Sequence, residues 1–336
     1  MKQVSEKDVT EAINQLGPEN HIEEKEDISG HNNKVFRIKL EERTVICKFC
    51  TGENSIQDCR KEVNMNQLLK NQTTIDTREI LYSNSSTEKT EFPFFITEYI
   101  EGESLQDSFT ELTAEKQVEI IEQAGQILGE VHSKISFQYA GELIPENSNI
   151  SVNGKTTWIE YITQELTEAV KKAEYTRFSD LTEKAENLVE ALSKLEEPER
   201  TLVFYDFRPD NVIAESSRIK ALIDFERALS GDPFWDYAYS EMSFVEPHQY
   251  YNMHEPPDAD EEKLRKAFQR GYEKQMELKE NWRQNVKLYK LGILIKRFNS
   301  FKGWTESAEM TEEEIRRQEK LLKKGFDKLY QSLDIQ

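Results

Sequence analysis

The chain has 336 residues, of which 37% are hydrophobic and 10% aromatic, enough to build a substantial core. It carries 64 acidic against 44 basic residues, a formal net charge of −20. Such a charge repels nucleic acids and anionic membranes, so we expect neither partner, and it favours a cationic small molecule. No stretch approaches the ~18 apolar residues of a membrane span, and residues 1–16 are polar and amphipathic. We therefore expect a cytoplasmic protein without a leader peptide.

After an opening helix, the first 100 residues favour strands. Residues 34–40 (KVFRIKL) and 44–50 (TVICKFC) alternate in polarity around a short charged turn, which predicts a β-hairpin. On the second strand, Lys48 shares a face with Ile46. The next run, 58–70, is predicted to be a helix.

Three cysteines lie in this part of the chain, at Cys47, Cys50 and Cys59, too few for a disulfide framework. Cys47 and Cys50 form a C-x-x-C pair, but residues three apart on a strand face opposite sides. The five histidines have no zinc-binding spacing. We therefore expect neither a zinc site nor a redox pair.

Two further strands, 75–82 and 92–100, flank a polar turn, and Gly102 then allows a change of direction. Beyond it the periodicity becomes helical. Residues 113–135 predict an amphipathic helix capped by Thr113, and His132 near its end is interpreted as a packed structural residue. Helical stretches are also predicted over 158–195 and 259–333.

The most informative stretch is 201–236, TLVFYDFRPDNVIAESSRIKALIDFERALSGDPFWD. Two short apolar strands, 201–204 and 220–223, present Asp206 and Asp224 at their ends. Aspartate and asparagine in loops are ordinarily turn formers or caps, but the combination of these residues at this spacing is typical of phosphoryl transfer.

The roles follow from the charge that a transferring phosphoryl group carries. Asp206 would orient or deprotonate an attacking hydroxyl, and Arg208 would steady the charge on the phosphoryl oxygens. Asn211 and Asp224 would supply oxygen ligands for Mg²⁺ bridging the nucleotide phosphates.

The stretch resembles the aminoglycoside phosphotransferase and choline kinase family, whose usual form is H-G-D-x-x-x-x-N, then I-D-[WF]-x, then G-D-P-x-x-D. The matching residues here are Asp206, Asn211, I-D-F-E at 223–226, G-D-P at 231–233, and Asp236. The chain departs from that form at Phe204 and Tyr205, where the family has His and Gly.

The resemblance implies an α+β, protein-kinase-like fold of two lobes. Residues 1–100 would form a small antiparallel-sheet lobe that binds the nucleotide, and residues 101–336 a mostly helical lobe with the catalytic and substrate sites. Lys48 would contact the α- and β-phosphates, and Glu62 would form an ion pair with it. The remaining nucleotide contacts would come from a phosphate-covering loop containing Ser29 and Gly30, and from the interlobe backbone at Glu98, Tyr99 and Ile100.

The function implied is O-phosphorylation of a small hydroxylated, amine-bearing molecule, with ATP as donor (GTP is possible) and Mg²⁺ as cofactor. The aromatic segments 234–237 and 244–251, with carboxylates such as Glu246 and the 258–262 cluster nearby, would suit an ammonium group. Asp232 and Asp236 are expected to brace the large lobe, Asp232 by capping a helix, and Glu226 is an auxiliary metal or substrate candidate.

An alternative is a catalytically inactive nucleotide-binding or scaffold protein of the same fold, suggested by Phe204 and Tyr205. A protein kinase is disfavoured, because no activation segment ending in A-P-E follows Asp224. The identity of the acceptor, the choice between ATP and GTP, and the oligomeric state stay open at this point.

Overall fold

The computed structural model describes residues 3–30, 33–250 and 257–333. The chain forms a sheet-rich lobe followed by a mostly helical lobe, which is the predicted α+β, two-lobe arrangement. In the described residues the first lobe has an antiparallel sheet of order β1-β2-β3-β5-β4. Its elements are α1 (Glu6–Asn14), β1 (Ile22–Asp27), β2 (Lys34–Leu40), β3 (Thr44–Phe49), α2 (Ser55–Gln72), β4 (Ile80–Asn84) and β5 (Phe94–Glu98).

The two faces of this sheet pack against different helices. One face, which includes Cys47, packs with Val9 and Ile13 of α1. On the other side, Cys50 packs with Cys59 of α2. Cys47 and Cys50 are buried in different clusters, as predicted for residues on opposite faces of a strand.

The second lobe holds the larger core and two small sheets, of order β11-β10-β6 and β8-β7-β12-β9. Its elements are β6 (Glu103–Ser104), α3 (Leu105–Ser108), α4 (Ala114–Lys134), β7 (Gly141–Glu146), β8 (Asn149–Val152), α5 (Trp158–Ala173), α6 (Thr182–Ser193), β9 (Thr201–Val203), β10 (Val212–Glu215), β11 (Arg218–Leu222), β12 (Leu229–Gly231), α7 (Pro233–Phe244), α8 (Pro247–Tyr250), α9 (Glu261–Glu273), α10 (Trp282–Ser307) and α11 (Glu312–Gln331).

Helices α4 and α9 approach each other closely because glycine occupies the contact positions. A Cβ atom placed on Gly125 would lie 2.0 Å from the backbone oxygen of Phe268, and one placed on Gly271 would lie 1.9 Å from that of Glu122. Neither distance is sterically possible, so both positions require glycine for this packing. The contact fixes α4, which packs against β9, the strand that precedes Asp206.

The structure differs from the predicted elements at three places. The strand expected at 75–82 runs over Ile80–Asn84, because the chain before it pairs with the other lobe: Leu222 donates its N–H to the carbonyl of Asp76 at 3.2 Å. The helical stretch 158–195 divides into α5 and α6. Strand β1 was not predicted, because this edge strand (IEEKED) is largely exposed and shows no apolar alternation.

A hairpin formed by β7 and β8 connects the large lobe to α2. The side-chain amide of Asn64 on α2 donates to the backbone carbonyls of Asn147 at 3.1 Å and Asn149 at 2.7 Å. The hairpin therefore holds α2 against the large lobe. The sequence analysis did not predict this hairpin, which has only a short loop and mixed polarity.

Within the described residues, no helix is both long enough and apolar enough to cross a membrane.

Candidate active site

Lys48 lies at the centre of the cleft between the lobes. Its Nζ atom is 2.7 Å from Glu62 Oε2 and 3.0 Å from Asp224 Oδ1. Burial alone would lower the pKa of Lys48, but the carboxylates of Glu62, Asp224 and Glu226 outweigh it and raise that pKa above its ordinary value. The ammonium group therefore stays charged at physiological pH, and the structure brings three of the predicted site residues together.

The catalytic loop follows β9 and holds Asp206 through several contacts. Asn211 donates its amide N–H to the Asp206 backbone carbonyl at 2.9 Å, and the Tyr239 hydroxyl donates to Asp206 Oδ1 at 2.7 Å. Arg208 places Nε 3.3 Å from the same carboxylate oxygen and an Nη atom 2.8 Å from Asp210. These contacts hold the Asp206 side chain, which is 10% exposed, in one orientation.

Asp236 supports the two positions at which the loop departs from the family pattern. Its carboxylate accepts the backbone N–H groups of Phe204 at 2.7 Å and Tyr205 at 3.1 Å. His132 lies with Nε2 3.4 Å from the same carboxylate and Nδ1 2.9 Å from the Tyr272 hydroxyl. His132 is buried, as the structural interpretation predicted.

Phe204 and Tyr205 fit the loop in different ways. Phe204 is buried and packs against the rings of Phe207 and Phe225, at centroid distances of 5.7 and 5.8 Å. Tyr205 has a φ of 63°, a left-handed conformation that costs a side chain roughly 1–2 kcal/mol compared with glycine. Its ring stacks on Trp235 at 6.1 Å, which offsets that cost.

Asp232 caps helix α7. It accepts the backbone N–H of Phe234 at 2.7 Å, and its other oxygen accepts the hydroxyl of Tyr289 at 2.6 Å. Burial raises the pKa of Asp232 to about 6, although both of these hydrogen bonds favour the carboxylate. The predicted bracing role of Asp232 is confirmed.

Three carboxylates form a group that could hold a divalent cation. One oxygen from each of Glu62, Asp224 and Glu226 lies within 4.8 Å of the others. Asn211 lines the same cleft, and because its amide nitrogen donates to Asp206, its oxygen remains as a ligand. Carboxylate and amide oxygens are the donors that Mg²⁺ prefers, so the residues present fit that ion.

A cavity of about 170 Å³ adjoins Lys48 and is lined by Arg78 and Thr97 as well as by Glu62 and Asp224. The sequence analysis did not identify Arg78, since an arginine ahead of a strand gives no signal. Two of the three predicted adenine-binding residues already use their N–H groups: Glu98 donates to Glu79 at 3.1 Å and Tyr99 to Thr44 at 3.3 Å.

The N–H of Ile100 has no acceptor within the described residues, so it is the donor left for a ligand at this edge. On the opposite side of the cleft, Ser29 Oγ accepts the backbone N–H of Val35 at 3.0 Å and so closes the loop onto β2. Among the described residues, no atom lies within 4 Å of a Cβ placed on Gly30. Positions 31 and 32 of the predicted phosphate-covering loop lie outside the described residues.

A second cavity, of about 360 Å³, opens beside Asp206. Its polar and aromatic lining includes Tyr205, Arg208, Arg227, Tyr239, Lys296 and Arg297. No aspartate or glutamate of the described chain lines it. Among these residues, Arg227, Tyr239, Lys296 and Arg297 were not identified from sequence. Arg227 directly follows I-D-F-E, which was a usable signal, whereas Lys296 lies on a helix whose position the sequence does not reveal.

The aromatic segments expected to bind an ammonium group do not lie together beside Asp206. Trp235 lines the second cavity, but Phe244 is buried in the core, and residue 251 lies outside the described chain. Glu246 is buried and forms ion pairs with Arg265 and, at 2.9 Å, with Lys290. These carboxylate and aromatic groups do not form one pocket with Asp206.

The fold and motif have counterparts among known proteins. A family model described as the phosphotransferase enzyme family matches residues 24–284. No curated protein sequence matches the chain.

Solved structures match nearly the whole chain at low identity. A protein from Ralstonia eutropha JMP134, described as an aminoglycoside phosphotransferase, is 16% identical with a TM-score of 0.68, covering 98% of this chain and 99% of that one. The GDP and kanamycin complex of APH(2")-IIIa is 16% identical with a TM-score of 0.65, covering 95% and 98%. A thermostable mutant of APH(4)-Ia, bound to AMP-PNP and hygromycin B, is 17% identical with a TM-score of 0.61, covering 91% and 95%. At these identities the likeness shows the kinase-like fold.

Proposed function

The chain belongs to the phosphotransferase enzyme family, and from that premise we propose that it transfers the terminal phosphoryl group of ATP to a hydroxyl of a small molecule. The observation that carries this proposal is the position of Lys48, whose Nζ contacts Glu62 and Asp224 together. A charged lysine held between a helix carboxylate and the carboxylate of the I-D-F motif is the arrangement that orients nucleotide phosphates in kinase-like enzymes.

In this proposal Asp206 accepts the proton of the acceptor hydroxyl, and the hydroxyl oxygen bonds to the γ-phosphorus of ATP. The bond from that phosphorus to the β–γ bridging oxygen breaks, and ADP leaves. Arg208 and Lys48 stabilise the negative charge on the phosphates, and Glu62 positions Lys48. Asn211 and Asp224 would hold Mg²⁺, which when bound neutralises phosphate charge; Glu226 lies close enough to assist.

Nucleotide binding is assigned to residues 1–100 and acceptor binding to residues 101–336. Ile100 offers its N–H to the adenine edge, beside the backbone of Glu98 and Tyr99, and the loop with Ser29 and Gly30 covers the phosphates. Solved relatives are complexes with AMP-PNP and with GDP, so either ATP or GTP fits this proposal. We also propose a cytoplasmic location, from the composition alone.

The sequence predicted an amine-bearing acceptor from the net charge, from the aromatic segments with nearby carboxylates and from the family resemblance, and two solved structures contain hygromycin B and kanamycin. Since the aromatic and carboxylate groups do not meet beside Asp206, that finer assignment rests on the whole-chain charge and on proteins less than 20% identical. The lining of the cavity beside Asp206 gives it no support, because its charged residues are cations.

The competing function is an inactive scaffold, suggested by Phe204 and Tyr205. Against it stands the contact of Asp236 with both backbone N–H groups, which supports the loop without the family histidine. The test is Mg²⁺-dependent ATP turnover by the purified protein and by Asp206→Ala, with nucleotide binding measured by calorimetry. We expect turnover to fall at least 100-fold while nucleotide binding is retained. Equal turnover in both proteins would support the scaffold.

A further inference from the structure

The cavity beside Asp206 is lined by positive charge, although the chain as a whole is strongly acidic. Acidic residues outnumber basic ones by 64 to 44, so an average patch of this surface would carry more carboxylates than cations. The cavity instead presents Arg208, Arg227, Lys296 and Arg297, with no carboxylate lining it in the described chain. This local reversal favours a ligand that carries negative charge.

Two of these cations lie beside the catalytic loop. The Arg227 guanidinium and Lys296 Nζ are each 5.4 Å from the centre of the Tyr205 ring. Tyr205 directly precedes Asp206, so both cations lie near the place where the acceptor hydroxyl must bind. An ammonium group bound there would meet two like charges.

The two tyrosine rings nearest Asp206 in the cavity, those of Tyr205 and Tyr239, already have cationic side chains of the protein over them. Arg227 and Lys296 lie over Tyr205, and the Arg297 guanidinium lies 5.6 Å from the centre of the Tyr239 ring. A ligand ammonium would have to displace these side chains from the ring faces to gain the same cation–π contact.

The cations differ in how far the protein neutralises them. Arg208 contacts Asp206 and Asp210. Lys296 forms an ion pair with Glu165 at 2.7 Å, although Glu165 does not line the cavity. Arg227 is exposed and has no carboxylate within ion-pair distance in the described chain. Its planar guanidinium can donate two parallel hydrogen bonds to a carboxylate or a phosphate.

We infer that the acceptor is a small hydroxylated molecule that carries an anionic group, a carboxylate or a phosphate, bound by Arg227 and Lys296 while its hydroxyl reaches Asp206. This inference rests on the proposed function for its catalytic meaning. A cavity of about 360 Å³ is large enough for a molecule the size of a sugar acid or sugar phosphate.

A matched panel of acceptors tests the inference, with ADP release and ³¹P NMR of the product as readouts. The three-carbon series is glycerol, 2-aminopropane-1,3-diol, glycerate and glycerol phosphate; the six-carbon series is glucose, glucosamine, glucuronate and glucose 6-phosphate. We expect kcat/KM for the anionic members to exceed that of their neutral and amine partners by roughly tenfold or more. The carboxylate and phosphate members distinguish the two anion types. Preference for the amine members would overturn the inference and leave the proposed phosphotransfer intact.

Two variants localise the effect. Arg227→Gln and Lys296→Met should each raise the KM for the best anionic acceptor roughly tenfold and leave the KM for ATP unchanged, whereas Arg227→Lys should restore part of the affinity. Matched controls are Arg218→Gln and Lys172→Met, which remove the same charges from exposed positions away from the cavity. Equal effects in the controls, or a change confined to the KM for ATP, would overturn the inference.

Binding measured by calorimetry on Asp206→Asn makes the result independent of turnover. The inference is supported if anionic members bind Asp206→Asn and bind it more weakly once Arg227→Gln is added. If they bind in this way but the parent protein forms no product from them, the proposed function fails and the inference on acceptor charge stands. Neutral or amine members that bind as tightly, or no binding of anionic members at millimolar concentration, would contradict it.

Discussion

The hydroxyl of Tyr239 donates a 2.7 Å hydrogen bond to Oδ1 of Asp206. Tyr239 lies on α7, so this bond ties the carboxylate of the catalytic loop to a helix of the large lobe, independently of the contact with Arg208. Orientation of a reacting group is worth a measurable part of a rate enhancement.

Removing that hydroxyl should slow catalysis without weakening nucleotide binding. For Tyr239→Phe we expect kcat to fall roughly three- to tenfold, the effect of one positioning hydrogen bond, with the KM for ATP unchanged. Steady-state kinetics checks this. Tyr82→Phe is the matched control, since it loses a hydroxyl bond to Gln15 in the small lobe. An unchanged kcat would mean that Arg208 alone is sufficient to orient Asp206.

Replacing Lys48 should abolish most turnover. Lys48→Met keeps the length of the side chain but leaves Glu62 buried without its cation, so we expect kcat/KM for ATP to fall on the order of 100-fold or more. Turnover and circular dichroism are measured together, with Lys34→Met, on the neighbouring strand, as control. If Lys48→Met retained full activity, the nucleotide would have to bind elsewhere.

Restoring the family histidine should not help this chain. Phe204 packs with two phenylalanine rings, and Asp236 already accepts its backbone N–H. We expect Phe204→His to lower the free energy of unfolding by about 1–3 kcal/mol, because it buries a polar ring, and to leave kcat unchanged or lower. Urea denaturation and turnover test this. A rise in kcat would indicate that the loop lacks support that the histidine supplies.

The hairpin contact of α2 should affect both stability and nucleotide use. Asn64→Ala removes two hydrogen bonds to backbone carbonyls, which we expect to cost about 1–3 kcal/mol and to raise the KM for ATP several-fold, since α2 carries Glu62. Gln67→Ala, an exposed change on the same helix, is the control. If Asn64→Ala lost stability but kept the KM for ATP, the hairpin contact would have no influence on the nucleotide site.

Glu246 should contribute to acid sensitivity. Burial would raise its pKa, but Lys290 and Arg265 outweigh it and lower the pKa from 4.5 to about 2. A carboxylate with a lowered folded-state pKa stabilises the fold above its unfolded-state value, and that contribution is lost as the pH falls through 4.5 toward 2.

Glu246→Gln should therefore be less stable than the parent near neutral pH, with the difference shrinking between pH 4.5 and 2. Free energies of unfolding in urea across this range give the comparison. For Glu277→Gln, a change at an exposed position, the free energy of unfolding should vary with pH as it does in the parent. If the difference in free energy of unfolding did not depend on pH, Glu246 would stabilise the fold through its packing and not through its charge.

Local motifs and the family resemblance identified residues that lie together in the cleft; their catalytic roles stay predictions. The D-x-x-x-x-N and I-D-F pieces lie next to short strands, and the structure does bring Asp224, Lys48 and Glu62 into contact. The cap at Asp232 followed from the G-D-P sequence, because capping depends on residues within one turn of a helix.

The walls of the second cavity could not be predicted in the same way. Lys296 lies about 90 residues after Asp206 in the chain and lines the cavity because α10 packs across the large lobe. The orientation of such a helix depends on tertiary packing, which periodicity does not encode. The net charge of the chain favoured a cationic acceptor, but it is a sum over the whole surface. It carries no information on the charge that lines one cavity.

The bond from Asn64 to the β7–β8 hairpin also has a consequence for control. Many kinase-fold proteins are switched on and off by swinging the equivalent helix, which makes or breaks the lysine–glutamate contact. Here that helix is anchored from the opposite lobe by the two hydrogen bonds of Asn64, with Lys48 and Glu62 2.7 Å apart. We expect the rate of phosphoryl transfer to depend on the concentrations of the nucleotide and the acceptor, without a switch between active and inactive conformations of the protein.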